Sequence, residues 1–177
     1  MKKLAVTLIL AMTALSAAAQ QPPTPDAQIA AMKKLDYMAG KWVGEGWMQM
    51  GPQRSTFRGS ETIQRKLDGT ALLVEGAFFG KKPGSDVEVP VHTTLAVISY
   101  DPKGQKYDFA TWLATGTSGD HVLTLTDKGW WWDLTTPGGK VKYTMTLTEA
   151  GEWLEIGEWS SDGAQWRKFF EMKLKKE

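Results

Sequence analysis

Only two imidazoles, His92 and His121, occur in a chain of 177 residues that contains no cysteine. They lie far apart, and neither H-x-H nor H-E-x-x-H spacing accompanies them, so no metal-ligand pattern forms. His121 alternates with Leu123 and Leu125, which aims it at an interior. A histidine there is a hydrogen-bonded core residue, a haem ligand or an acid and base. His92, beside a long loop, reads as exposed. Thr117-Ser118-Gly119-Asp120-His121 places hydroxyl, carboxylate and imidazole close in sequence, but G-x-S-x-G is absent and the run reads first as a turn. No phosphate-cradling glycine loop opens a helix.

Carboxylates are the second source of chemistry. Glu45, Glu75, Glu155, Glu158, Asp108 and Asp133 sit in aromatic-rich runs. Two that met in an apolar interior would differ in proton affinity and supply a general acid. Strand alternation turns about half of such residues to solvent. The nine tryptophans are the richest signal. Trp130-Trp131-Trp132 puts two indoles on one strand face and one on the other, and Trp47, Trp112, Trp153 and Trp159 add further plates. Indoles lining a cavity suit a flat or hydrophobic ligand or a sugar ring; indoles packed on one another simply fill a core.

These side chains need strands to hold them. Asp26 to Ala39 carries Ile29, Met32, Leu35 and Met38 at helical spacing, with Asp26 as N-cap and Gly40 as the stop, so one short helix is expected. Beyond Gly40 ten short strands follow, the first over Trp42–Met50 and the last over Gln165–Leu174. Turn signals separate them: Gly51-Pro52, Asp68-Gly69, Lys81–Pro90, Asp101-Pro102-Lys103-Gly104, Pro137-Gly138-Gly139 and Asp162-Gly163 among others. Val141, Tyr143, Met145 and Leu147 fall on one face. Trp166, Phe170, Met172 and Leu174 likewise share one. Such alternation gives a sheet with one packed and one wet side, and closure of the sheet removes its edges.

The first residues read differently. Lys2 and Lys3, an apolar core from Leu4 to Leu15, and Ser16-Ala17-Ala18-Ala19 have the order of a secretory signal cleaved near Ala19-Gln20. The apolar core is shorter than the roughly 20 residues that span a bilayer. Residues 1–19 are therefore expected to be a signal peptide, 20–25 a polar, proline-rich linker, and 26–177 a single domain. The expected destination is the periplasm or the exterior. With no cysteine there is neither a disulfide nor a lipid-bearing thiol, so packing alone must stabilise the domain. The whole chain carries a formal charge of +1, and both lysines of the signal are lost on cleavage. A near-neutral domain gives no electrostatic reason to expect nucleic acid or an anionic membrane as partner.

The join Gly40-Lys41-Trp42-Val43-Gly44-Glu45-Gly46-Trp47 carries a resemblance. A G-x-W after a short helix, opening an up-and-down barrel, resembles the calycin superfamily of lipocalins and fatty-acid-binding proteins. G-x-W-x-G-x-G is also similar to nitrobindin-type barrels. Taken whole, Leu35 to Leu174 most resembles an uncharacterised family of exported bacterial proteins, a domain of unknown function; Leu35–Gly46, Gly69–Gly80 and Ala96–Trp112 support this. The resemblance implies an arginine from the last strand stacked on Trp42, with Arg167 as candidate. It also implies, for nitrobindin-type barrels, haem held by a histidine late in the chain. Residues 140–177 contain none, a departure that counts against haem, and no cofactor is expected.

The expected fold is thus all-β: a calycin-like antiparallel up-and-down barrel of about ten strands with a short N-terminal capping helix. The first functional expectation is an exported binding module for a small hydrophobic or aromatic ligand. Its wall would include Trp112, His121, Trp132, Tyr143 and Met145, with Glu158 or Arg58 as polar anchors. A packed envelope or scaffold protein interacting through an exposed aromatic rim is the second. A hydrolase or isomerase using lumenal carboxylates or His121 is the third.

Overall fold

In a computed structural model, residues 25–177 apart from residue 83 are described; the expected signal peptide and most of the linker lie outside them. Asp26–Met32 forms helix α1 and Lys33–Met38 continues it as a 3-10 helix. Pro25 rather than Asp26 takes the N-cap position, which leaves Asp26 in the first turn, where a carboxylate suits the helix dipole. Ten strands follow: β1 Gly40–Met48, β2 Ser55–Lys66, β3 Ala71–Lys81, β4 Glu88–Asp101 and β5 Lys106–Leu113. The rest are β6 Ser118–Thr126, β7 Gly129–Thr136, β8 Gly139–Leu147, β9 Trp153–Ser160 and β10 Arg167–Lys176. Each pairs antiparallel with its sequence neighbours, and β1 pairs with β10, so the sheet closes into an up-and-down barrel. Closure leaves no unpaired edge. Among the described residues no helix is long and apolar enough to cross a membrane.

Gly40 makes the corner between helix and barrel. Its φ of +128° lies where L side chains are strained, and a Cβ there would stand 2.7 Å from Cε of Lys176. Past this corner Trp42 turns inward and its indole N–H donates to the Met38 carbonyl at 2.7 Å. The Tyr107 hydroxyl donates to the Ala31 carbonyl at 2.9 Å, so the helical segment is tied to the barrel at its middle and at its C-terminal end. Met32, Leu35 and Met38 seal that end, with Leu35 0% exposed. The helix is a plug, positioned by the aromatic rings beneath it.

Register fixes what faces inward. The cross-strand neighbours of Trp42 and Gly46 are Glu61 and Phe57 on β2. The same face continues around the barrel through Phe78 and Gly76, Ala96 and Ile98, Phe109 and Tyr107, His121 and Leu123, Trp132 and Trp130. Tyr143 and Met145 on β8, Gly157 and Glu155 on β9, and Phe170 and Met172 on β10 complete the circuit.

Two expectations for the last strand are corrected. The β9–β10 register shifts between Lys168 and Phe170, a bulge that places one extra residue in β10. Trp166 therefore falls out of phase with Phe170 and instead meets the outward-facing Lys142, whose Nζ is 4.9 Å from its ring. Nor does Arg167 stack on Trp42. The cation over that indole is Lys176, with Nζ 5.2 Å from the ring and 3.1 Å from the Tyr37 carbonyl oxygen. Arg167 pairs with Trp159 at the opposite end of the barrel.

Candidate functional site in the barrel lumen

The lumen has two zones, set by how far each strand position lies from the plug. Near the plug Trp42, Trp130 and Trp153 are buried and pack edge to face: Trp42 on Trp153 at 5.7 Å and Trp130 on Trp153 at 5.8 Å between ring centroids. Toward the open end the inward rings stay half-buried. Phe109, Trp132 and Tyr143 all point into the barrel from the middle of their strands, and Phe57 from near the start of β2, yet all keep accessible surface. These rings also form a continuous wall. Trp132 stacks on Tyr143 at 4.9 Å and 17°, Phe109 stands edge-on to Trp132 at 5.3 Å, and Tyr143 stands edge-on to Phe170 at 5.7 Å. Missing side chains make room for them: a Cβ on Gly157 would lie 2.9 Å from the Tyr143 ring.

His121 belongs to this wall. Its ring is 4.5 Å from Trp132 and its Nε2 is 3.4 Å from the Thr111 hydroxyl. Burial lowers its proton affinity, and the carboxylates of Asp120 and Asp133 partly offset this. It is therefore more readily neutral than an exposed histidine. His92 sits beside Phe78 at 6.2 Å, and burial lowers its pKa as well.

Two carboxyl groups lie between the zones. Glu61 on β2 is 8% exposed, and its Oε2 has no hydrogen-bond partner. Burial first, and the charge of Glu155 second, push its pKa up to about 8. Glu155 on β9 is pushed up to about 7 by burial, against the pull of the Trp153 indole N–H, which donates to its Oε2 at 3.1 Å. Glu155 faces the lumen from β9, opposite Met145 on β8 and Met172 on β10. The same carboxylate and, more strongly, burial hold the Tyr143 phenol up to about 12. One more polar atom is orphaned here. The Trp130 side chain is 4% exposed, and its indole N–H finds no acceptor.

Of the residues expected on the wall, His121, Trp132, Tyr143 and Met145 do face inward, with Met145 fully buried. Trp112, Arg58 and Glu158 do not, and their lumenal placement is corrected. Trp112 pairs with outward-facing Leu95 and is 46% exposed. Arg58 forms a two-bond contact with Glu88 on the outside, its Nε 2.8 Å and its Nη2 2.6 Å from the carboxylate. Glu158 faces outward opposite Lys142, 3.6 Å away. Of the six carboxylates singled out in the sequence only Glu155 enters the lumen, and Glu61 joins it unforeseen. Its position was readable, since Phe57, Gly59, Glu61 and Ile63 alternate in one phase. Among the described residues no three His, Asp or Glu side chains gather as metal ligands would.

Two clefts lie outside the lumen. One of about 700 Å³, at the plugged end, runs between Lys34, Tyr37, Lys128 and Leu147. The other, about 580 Å³, lies on the outer face of β2–β5 between Thr62, Glu75, Leu95 and Trp112.

No family model matches the chain, and no curated protein matches it either. Solved structures do. The crystal structure of Rv2717c from M. tuberculosis superposes with a TM-score of 0.58 at 11% identity, over 83% of this chain and 97% of that one. The S-type phycobiliprotein lyase CPES from Guillardia theta gives 0.53 at 7% identity, over 81% and 90%. At such identities the likeness shows the fold alone. That fold is a calycin-like barrel. Each neighbour is covered almost whole, so the likeness extends over the domain rather than a local motif.

Proposed function

We propose that the protein is an exported binding module that holds a small, flat, hydrophobic or aromatic ligand in the open half of its lumen. The observation that carries this reading is the contrast between the zones: rings near the plug are buried, whereas Trp132, Tyr143 and Phe109 keep surface that only an occupant would cover. The wall is made of His121, Trp132, Tyr143, Phe109 and Phe170, with Met145 below. Aromatic planes at these spacings offer stacking and edge contacts worth about 0.5–1.5 kcal/mol each beyond the area they bury. One solved neighbour is a phycobiliprotein lyase, and a barrel of this kind serving a chromophore-bearing protein accords with an aromatic-walled lumen. Export rests on the charge and hydropathy pattern of residues 1–19, outside the described residues.

Titration with the neutral fluorophore N-phenyl-1-naphthylamine tests the lumenal reading. The ligand should quench tryptophan emission and brighten its own, with saturation at one molecule per chain. Trp132→Ala should weaken it about tenfold, as expected for a lost stacking partner. Unchanged affinity in Trp132→Ala together with loss in Trp112→Ala would move binding to the outer cleft. That outcome favours the second reading, a scaffold interacting through exposed Leu95 and Trp112.

A further inference from the structure

A lumenal ligand does not account for Trp112, an indole left 46% exposed on the outside of β5 beside a recess of about 580 Å³. Independently of the lumenal reading, we propose that this recess is a site for a small organic cation, a quaternary ammonium carrying a short apolar body. The ammonium would lie over Leu95, between the Trp112 indole and the Glu75 carboxylate.

Strand register builds the site. Glu75 on β3, Leu95 on β4 and Trp112 on β5 are successive cross-strand partners, so they form one row on the outer face. At the usual strand spacing the row sets the backbones of Glu75 and Trp112 about 10 Å apart, with the leucine between them. The next row toward the mouth is short. Ala77 pairs with Thr93, and the Ala114 amide donates to the Thr93 carbonyl at 2.9 Å. Short side chains beside a taller row leave a hollow, and all six of these residues line it. An ammonium head fits against the tall row, and its apolar body lies along the short one.

Charge selects the occupant. Among the described residues Glu75 forms no ion pair or hydrogen bond. The lysines and arginines of β2–β5 are engaged elsewhere. Arg58, Lys81 and Lys106 are held by Glu88, Asp86 and Asp108; Arg65 pairs with Asp36, and Lys66 donates to Gln64. Asp120, the cross-strand partner of Ala110, adds a second outward carboxylate nearby. The indole is equally unclaimed. On the same outer surface Trp47 carries Arg54 at 3.7 Å and Trp166 carries Lys142 at 4.9 Å, whereas no described cation stands over Trp112. An organic anion would meet two carboxylates, and a neutral apolar molecule would leave Glu75 without a counter-charge. A primary ammonium is compact and strongly hydrated, so it gains little from an apolar floor. A quaternary ammonium spreads its charge over methyl groups. These can touch Leu95 and the indole together while the carboxylate balances the charge.

Choline, 3,3-dimethyl-1-butanol and 3,3-dimethylbutanoate test the assignment, because they share a trimethyl head and differ in charge. Binding is followed on the purified protein by NMR, through the Trp112 indole N–H and the Leu95 methyls. Choline should bind at roughly millimolar concentration, and the neutral and anionic analogues about fivefold more weakly. Benzyltrimethylammonium, which adds a body for the short row, should bind several-fold more tightly than choline. Glu75→Gln and Trp112→Ala should each weaken choline about fivefold, and both side chains stand outside the core, so the barrel should stay folded. Added salt should weaken choline in the native chain and have little effect in Glu75→Gln. Displacement of choline by phosphatidylcholine vesicles would assign the cation to a lipid headgroup, and indifference to them would assign it to a free solute; both support the site. Equal affinity for choline and 3,3-dimethyl-1-butanol would overturn the proposal. So would choline binding that survives both substitutions, an unmoved Trp112 N–H, or no gain from the benzyl body. Saturation by N-phenyl-1-naphthylamine is read separately, so failure here leaves the lumenal reading standing.

Discussion

Glu61 ionises near 4.5 in an unfolded chain but holds its proton up to about 8 in the barrel. Below the first value both states are protonated and the residue costs nothing electrostatically. Between the two values only the folded state holds the proton, so native stability falls steadily as pH rises and levels off above about 8. The loss amounts to several kcal/mol and is shared with Glu155, whose shift has the same sign. Glu61→Gln should therefore flatten the stability–pH curve and be more stable than the native chain at about pH 8.5, as urea melts across the range would show. Trp132→Ala should cost about 2–3 kcal/mol, less than a fully buried indole because the ring is only half-buried. Residue by residue, the sequence was informative where strand phase was anchored by apolar partners. His121, Trp132, Tyr143 and Met145 were placed correctly because their neighbours alternate cleanly. Trp112 misled because it is the largest side chain of β5, while the phase of Tyr107 and Phe109 puts it outside. Glu61 is not legible from the sequence as a lumenal group, because a carboxylate on an apolar strand face is an exception to alternation that only burial reveals.

At the scale of elements, the strands and the helix were legible from turn residues and alternation, and the irregularities were not. The bulge in β10 is a register shift of one residue that no composition signals, and it takes Trp166 out of phase with Phe170; Arg167 misses Trp42 because it begins β10 at the opposite end of the barrel. Lys176 took the place over Trp42 because it lies one strand pairing away, opposite that indole. Lys176→Met should lower stability by about 1 kcal/mol through loss of the cation–ring contact and of the bond to the Tyr37 carbonyl. Arg167→Ala should stay within about 0.5 kcal/mol, as for an exposed side chain. Chemical denaturation of the two variants side by side separates the roles. The corner at Gly40 is stricter. Gly40→Ala places a side chain at φ +128° and should cost about 1–3 kcal/mol, with the loss concentrated in the plug; hydrogen exchange at Tyr107 and Trp42 would report it.

The whole molecule is a sheet closed on itself with one end stopped by a helix and the other open. Closure between β1 and β10 joins the start of the barrel to its end. Neighbours share the overall fold at 11% and 7% identity, so the fold persists while most side chains change. The lumen is then where one such chain differs from another. In this chain it carries aromatic walls, two carboxyl groups that resist ionisation and an unpaired indole N–H. The direct test of occupancy is native mass spectrometry of the protein purified without denaturation from the cells that produce it. A small adduct should be retained in gentle ionisation, released by collision, and absent from a Trp132→Ala, Tyr143→Ala double variant prepared identically. Repeated observation of the native chain at its own mass alone, from preparations that preserve noncovalent complexes in a control binding protein, would contradict a lumenal ligand.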